Sequence, residues 1–223
     1  MSDILYSIEC SIDPAKIGKA YPQTDGMGGN YNLHGPNSVW NILDYSEINF
    51  IPNLNYFIID KSAILTDFVS TALIASAGFL VNNRVRKLLD SYSIKNHVYY
   101  DATIKFKNSL LNNYSWLHFT SSDDDLIDFE KSSFILTEPL PFFRTQVIEI
   151  CEKSKSEIFE IRKREHTLAL FPNQLVFTSN SKQDFYSFSF LRQKHYITEN
   201  IFSSIMTEEI SGVDIYRHNF SSR

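Results

Sequence analysis

The chain has 223 residues, 43% of them hydrophobic, with 18 Phe and 12 Tyr against only 7 Gly and 7 Pro. That composition excludes intrinsic disorder for most of the chain and supplies enough apolar surface for one large domain or two small ones. A formal net charge of −5 argues against a nucleic-acid binder, which normally carries a basic face, and suits a chain whose partner is basic.

In chain order, residues 4–12 alternate loosely as an opening strand. Residues 13–37 hold five of the seven glycines, with Gly26, Gly28, Gly29 and Gly35 clustered among Asn, Asp, Gln and Pro, which is the composition of a loop. Val39, Ile42 and Leu43 predict one or two helical turns within 39–48. Pro52 and Asn53 then break the chain, and 56–60 and 63–69 read as strands. Asn82 is a helix cap, because its side chain accepts from an orphan amide of the first turn. Val85, Leu88, Leu89 and Tyr92 follow at i, i+3, i+4 and i+7 as one apolar stripe. Asn96 tolerates the left-handed backbone that often ends a helix. From Tyr100 the period becomes two: Tyr100, Ala102, Ile104 and Phe106 share one face of a half-buried strand, with Asp101, Thr103, Lys105 and Lys107 on the other.

Residues 114–120 make another strand, followed by an acidic turn of Asp123, Asp124 and Asp125 with Asp128 and Glu130 behind it. A short strand at 134–137 ends at Pro139 and Pro141. A helix is predicted over 145–153, and the charged stretch after it runs into Arg162-Lys163-Arg164. Residues 168–171 and 175–178 read as two strands around a tight turn at Pro172-Asn173. Phe185, Ser187, Ser189 and Leu191 share one face of a further strand. Thr198 caps a last helix with the stripe Ile201, Phe202 and Ile205, and 219–223 read as a loose tail.

That last unit repeats an earlier one 116 positions away. Leu80-Val81-Asn82, Val85, Leu89, Ile94, Asn96 and Tyr100 align with Tyr196-Ile197-Thr198, Ile201, Ile205, Ile210, Gly212 and Tyr216. Cap, stripe and turn agree in register, and Asn96 and Gly212 both suit a positive φ. The expected fold is therefore α+β, with mixed, mainly antiparallel sheets, a few short helices and two related strand–helix–strand units. It is read as one domain over 1–223, with subdomains of about 1–140 and 141–223 as the alternative.

No constellation for chemistry stands out. The sequence lacks a nucleophile elbow, a phosphate loop and HExxH. The six histidines are scattered, and His118 reads as a hydrogen-bonded structural residue. The acidic turn lacks the glycine and distal Glu of a calcium loop, so no metal or cofactor is expected. Cys10 and Cys151 read as isolated small hydrophobes. The start of the chain has neither a basic n-region nor an apolar h-region, and the longest weakly polar run, 72–81, falls short of a membrane span. A cytoplasmic location is the default.

Two segments carry a resemblance. One is Tyr114-Ser115-Trp116-Leu117-His118-Phe119 followed by Asp125-Leu126-Ile127-Asp128-Phe129-Glu130-Lys131-Ser132. The other is Asp184-Phe185-Tyr186-Ser187-Phe188 leading into Tyr196-Ile197-Thr198-Glu199 and Ile210-Ser211-Gly212-Val213. An aromatic strand with an Asp-x-x-Asp-x-x-x-Ser turn, and a capped helix ending in Gly-Val, resemble the DUF1629 immunity proteins, the immunity protein 11 and 43 groups of bacterial polymorphic toxin systems. The resemblance spans about 56–217. His118 stands where Asn is more usual in that family and Phe129 where Trp is frequent, and 13–37 has no counterpart.

The resemblance implies a non-enzymatic protein that binds a cognate toxin or effector and neutralises it, protecting the producing cell. Shared positions such as Asp125 and Asp128 serve fold better than specificity. Asp123 and Asp124 are therefore the expected toxin contacts, together with Met27, Tyr31 and His34 of the Gly-rich loop. The competing reading is a small-ligand-binding protein or an enzyme whose site is assembled from scattered His and Asp residues.

Overall fold

The computed structural model describes residues 4–74, 77–138, 147–178, 183–192 and 194–219. Its elements are β1 (Ile4–Cys10), α1 (Pro14–Ile17), β2 (Thr24–Met27), a 3-10 turn (Val39–Asn41), β3 (Asn55–Ile59), β4 (Phe68–Val69), β5 (Gly78–Asn82), α2 (Asn83–Leu89), β6 (His97–Phe106) and β7 (Ser109–Phe119). A second 3-10 turn (Asp124–Leu126) precedes β8 (Ser133–Thr137), β9 (Val147–Cys151), α3 (Lys155–Arg164), β10 (Ala169–Gln174), β11 (Phe185–Ser187), β12 (His195–Thr198), α4 (Glu199–Thr207) and β13 (Val213–Asn219).

The described strands form three sheets, ordered β2-β3-β6-β7-β5-β4, β11-β12-β1-β13 and β10-β8-β9. Among the described strands, β3 and β6 make the one parallel ladder. This is the α+β fold expected from the sequence, and the two strand–helix–strand units are present in it. The order β4-β5-β7-β6 in one sheet matches β11-β12-β1-β13 in another, with every pairing antiparallel. The central place that β7 holds in the first unit is taken in the second by β1, from the far end of the chain. Sheet pairing therefore crosses residue 140: β1 joins β12 and β13, and β8 joins β9 and β10.

Both helices start as their strands end. The Asn82 side chain accepts from the amides of Arg84 and Val85 at 3.0 and 3.1 Å. Thr198 holds the equivalent place, but its hydroxyl donates to Asp184 Oδ1 at 3.0 Å rather than capping the helix. Asn96 and Gly212 both adopt positive φ, at 52° and 85°. The stripes meet in one core, where Val85, Leu88, Leu89, Ile201 and Ile205 pack with Phe68, Phe79, Val81, Phe119, Phe185 and Ile197. Each large side chain buried there contributes roughly 1.5–3 kcal/mol of transfer free energy.

Several local expectations are corrected. The Gly-rich segment is not all loop: Asp13 caps a short helix with Pro14 in its first turn, and Thr24 to Met27 pair with β3. The helical turns of 39–48 shrink to one 3-10 turn capped by Ser38, and only Phe68 and Val69 of 63–69 are strand. The helix expected at 145–153 is the strand β9 over 147–151, because β8 offers an unpaired edge; the helix begins later, behind the capping box of Ser154 and Glu157. Pro172 and Asn173 sit inside β10 at a shift of register rather than in a turn, tolerated because β10 is an edge strand. The strand at 185 stops at Ser187. Asn219 belongs to β13, while the rest of the expected tail and the chain break at Pro139 and Pro141 lie outside the described residues. Cys10 is half-buried, but Cys151 is exposed rather than packed away.

Candidate functional site

The acidic turn lies against the segment that follows β11. Asp123 and Asp124 are only 9% and 3% exposed. Asp123 accepts from the Ser187 amide at 2.8 Å and donates its own amide to the Ser187 carbonyl at 2.7 Å. Asp124 accepts from the Ser189 amide at 2.9 Å and from the Ser189 hydroxyl. Burial pushes the Asp123 carboxyl above its ordinary pKa, and the Ser187 amide opposes that rise. The expectation that these two carboxylates face a partner is corrected. They satisfy amides left free where the strand stops, and such buried donors are costly without an acceptor. Asp125 is the outward residue: its side chain is 92% exposed, with Lys155 Nζ at 2.7 Å. Asp128 pins its own turn, accepting from Lys131 Nζ at 2.6 Å and, through its carbonyl, from the Ser132 amide at 3.0 Å.

The residues named from the Gly-rich loop also separate. Met27 ends β2 and packs, partly buried, against the core under β3 and β6. Tyr31 is a brace: its hydroxyl donates to the Asn53 carbonyl at 2.9 Å and accepts from the Val39 amide at 2.8 Å. His34 alone faces solvent, edge-on to Trp40 with ring centroids 5.5 Å apart.

Trp40 leads to the residues that sequence reasoning missed. It is 53% exposed, Leu43 is 65% and Ile51 is 83%. All three lie on one loop whose ends are tied by the Asn53 amide donating to the Asn37 carbonyl at 2.8 Å, while Val39 and Ile42 anchor it in the core. The signal in the sequence is a loop between Pro36 and Pro52 richer in apolar residues than its anchoring needs.

A groove of about 620 Å³ lies beside β1, β4 and β5, lined among others by Tyr21, Trp116, Arg192, Lys194 and His195. His195 is packed beside Phe79 and Phe119, at centroid distances of 4.7 and 4.9 Å, with Nδ1 2.9 Å from the Ser187 hydroxyl. Burial, helped by the neighbouring Lys194 charge, pulls its pKa down to about 3, so the ring is neutral at physiological pH. His118 is fully buried on β7 with Nε2 2.8 Å from the Ser46 carbonyl, the structural role its sequence context indicated. Among the described residues, no group of three or more His, Cys, Asp or Glu side chains is placed to hold a metal ion. No helix among them is long and apolar enough to cross a membrane. Comparison with protein-family models gives no match, and no curated protein matches this chain.

Proposed function

We propose that this chain is an immunity protein that binds a cognate toxin or effector in the cytoplasm and blocks its active site or substrate path. The sequence resemblance motivates this reading. The observation that supports it best is the exposed trio Trp40, Leu43 and Ile51 on a loop braced by Tyr31. A Trp buries roughly 150–250 Å² when covered, and such anchors dominate protein interfaces. A rigid loop loses little conformational entropy on binding. Charge plays the secondary role of raising the association rate, through outward carboxylates such as Asp125 and a net charge of −5 that favours a basic partner face.

The test is co-expression with the product of the adjacent upstream gene, scored by growth rescue and co-purification. Trp40→Ala combined with Ile51→Asp should abolish both while leaving the urea midpoint in place. A non-toxic neighbour, or rescue that survives the double substitution, overturns the reading.

A further inference from the structure

We propose that the groove between the two related sheets binds a small monocarboxylate with an apolar body, its carboxylate paired with Arg192 and its body lying on Trp116. None of the groove's lining residues belongs to the loop carrying Trp40.

The walls are strands of the two units. Ile8 and Cys10 of β1 stand on one side, and Val69, Gly78 and Leu80 of β4 and β5 on the other. The volume of about 620 Å³ falls within the range of pockets that enclose small molecules, roughly 300–1,000 Å³. Trp116 enters from β7 and packs against Gly78, where a Cβ would stand 2.7 Å from its ring. Trp116 is only 2% exposed, and its indole Nε1 has no acceptor among the described residues. A buried donor without a partner is costly, so a carboxylate on Arg192 whose second oxygen reaches this N–H, with the apolar body over the ring, recovers that cost.

The charge pattern selects the ligand. Lys194 is already engaged, with Nζ 2.6 Å from Asp44. Arg192 is exposed at the groove, its backbone amide held by the Leu170 carbonyl at 2.9 Å, and its guanidinium has no hydrogen-bond or ion-pair partner among the described residues. Its charge is felt across the groove at the Tyr21 hydroxyl: burial raises that pKa, the Cys10 thiol adds to the rise and Arg192 opposes it. A guanidinium fork matches a carboxylate in geometry. Glu9 also lines the groove, so an anionic end is directed away from β1 and toward Arg192. One free positive charge beside an acid suits a monoanion better than a dianionic phosphate. The apolar stretch formed by Ile74, Phe79 and Trp116 receives the rest of the molecule.

Trp116 reports on the site directly. The chain has two tryptophans, so Trp40→Phe leaves Trp116 as the only indole. Titrating this variant with cyclohexanecarboxylate should give a saturable change in emission and a shift of the Trp116 indole N–H resonance. Cyclohexanecarboxamide and inorganic phosphate should bind at least about tenfold more weakly, a difference of roughly 1.4 kcal/mol. Arg192→Gln, an exposed substitution, should remove the preference for acid over amide without moving the urea midpoint. The proposal fails if millimolar carboxylate produces no saturable change, if phosphate binds as well as the acid, if acid and amide bind alike, or if Arg192→Gln leaves the preference intact. No toxin is present in the assay, so its failure leaves the immunity reading standing.

Discussion

Arg84 at the start of α2 donates through its guanidinium to the carbonyl of Glu208 at the end of α4, and 116 positions on from Arg84, Asn200 is contacted by Tyr92, the counterpart of Glu208. The Tyr92 hydroxyl lies 3.3 Å from the Asn200 carbonyl. The two helices thus meet through the same positions used in reverse, the self-complementary pattern of a twofold interface, within one chain. The sheets repeat it. Asp67, just before β4, accepts from the amide and hydroxyl of Ser211 in the second unit's turn, at 2.8 and 2.7 Å. Asp184, just before β11, accepts from the Ser93 amide in the first unit's turn at 3.1 Å. Each unit's opening strand holds the other unit's turn.

Asp67 is the stronger of these ties, since it also accepts from the Asn82 side-chain amide at 2.8 Å. Burial works to raise its pKa, but Ser211, Asn82 and the Arg84 charge together hold it below the ordinary carboxylate value. Asp67→Ala should cost about 3 kcal/mol, because it orphans the Ser211 amide and the cap of α2 at once. Asp184→Ala should cost less, its bonds being longer and more exposed. Urea denaturation of the two variants gives the comparison, and equal losses would count against the ranking.

Gly212 and Gly29 both have positive φ, at 85° and 65°, but only one is confined. A Cβ on Gly212 would stand 2.1 Å from the Phe68 carbonyl, whereas Gly29 has nothing within 4 Å. Gly212→Ala should therefore cost more than about 2–3 kcal/mol, and Gly29→Ala only the left-handed penalty of about 1 kcal/mol. Thermal or urea midpoints distinguish them.

The buried His195 sets a pH dependence. Its folded pKa of about 3 lies below the ordinary 6.5, so the unfolded chain takes up this proton first. Above pH 6.5 neither state is protonated there. As pH falls from 6.5 toward 3, this site lowers stability by up to about 1.4 kcal/mol per pH unit. Asp123 acts oppositely at lower pH: its raised pKa means the folded state binds a proton first, which favours folding as the solution becomes more acid. His195→Asn keeps a polar group near the Ser187 hydroxyl. It should lower the urea midpoint at neutral pH yet flatten its decline between pH 6.5 and about 4.5; parallel slopes would exclude His195 as the source.

Asp124 and Asp125 are neighbours with opposite roles. Asp124→Ala should cost about 2–3 kcal/mol, through loss of a charged acceptor for the Ser189 amide and hydroxyl. Asp125→Asn should leave stability within about 0.5 kcal/mol, since its pair with Lys155 is exposed. If the proposed toxin contact extends to this side, the same substitution slows association and weakens its salt dependence, measurable by stopped flow.

Signals confined to one turn of chain were legible in the sequence. Asn82 as a cap, the stripe Val85-Leu88-Leu89, the positive φ of Asn96 and Gly212 and the alternation from Tyr100 all follow from contacts within about four residues, which neighbours in sequence determine. The helix expected over 145–153 failed because an open edge on β8 decided that segment as strand. The extended strand after Phe185 failed because Asp123 and Asp124, more than 60 residues away, took the Ser187 and Ser189 amides.

For the candidate site the division is the same. The sequence by itself determined the composition, the repeated unit and the mild acidity. Tertiary structure decided which members of an acidic run turn inward, that Tyr31 braces a loop rather than presenting its face, and that Trp40 lies outside while Trp116 lies within a groove. Burial is a property of what packs over a residue, and in this fold much of that cover comes from the other copy of the repeat, about half the chain away.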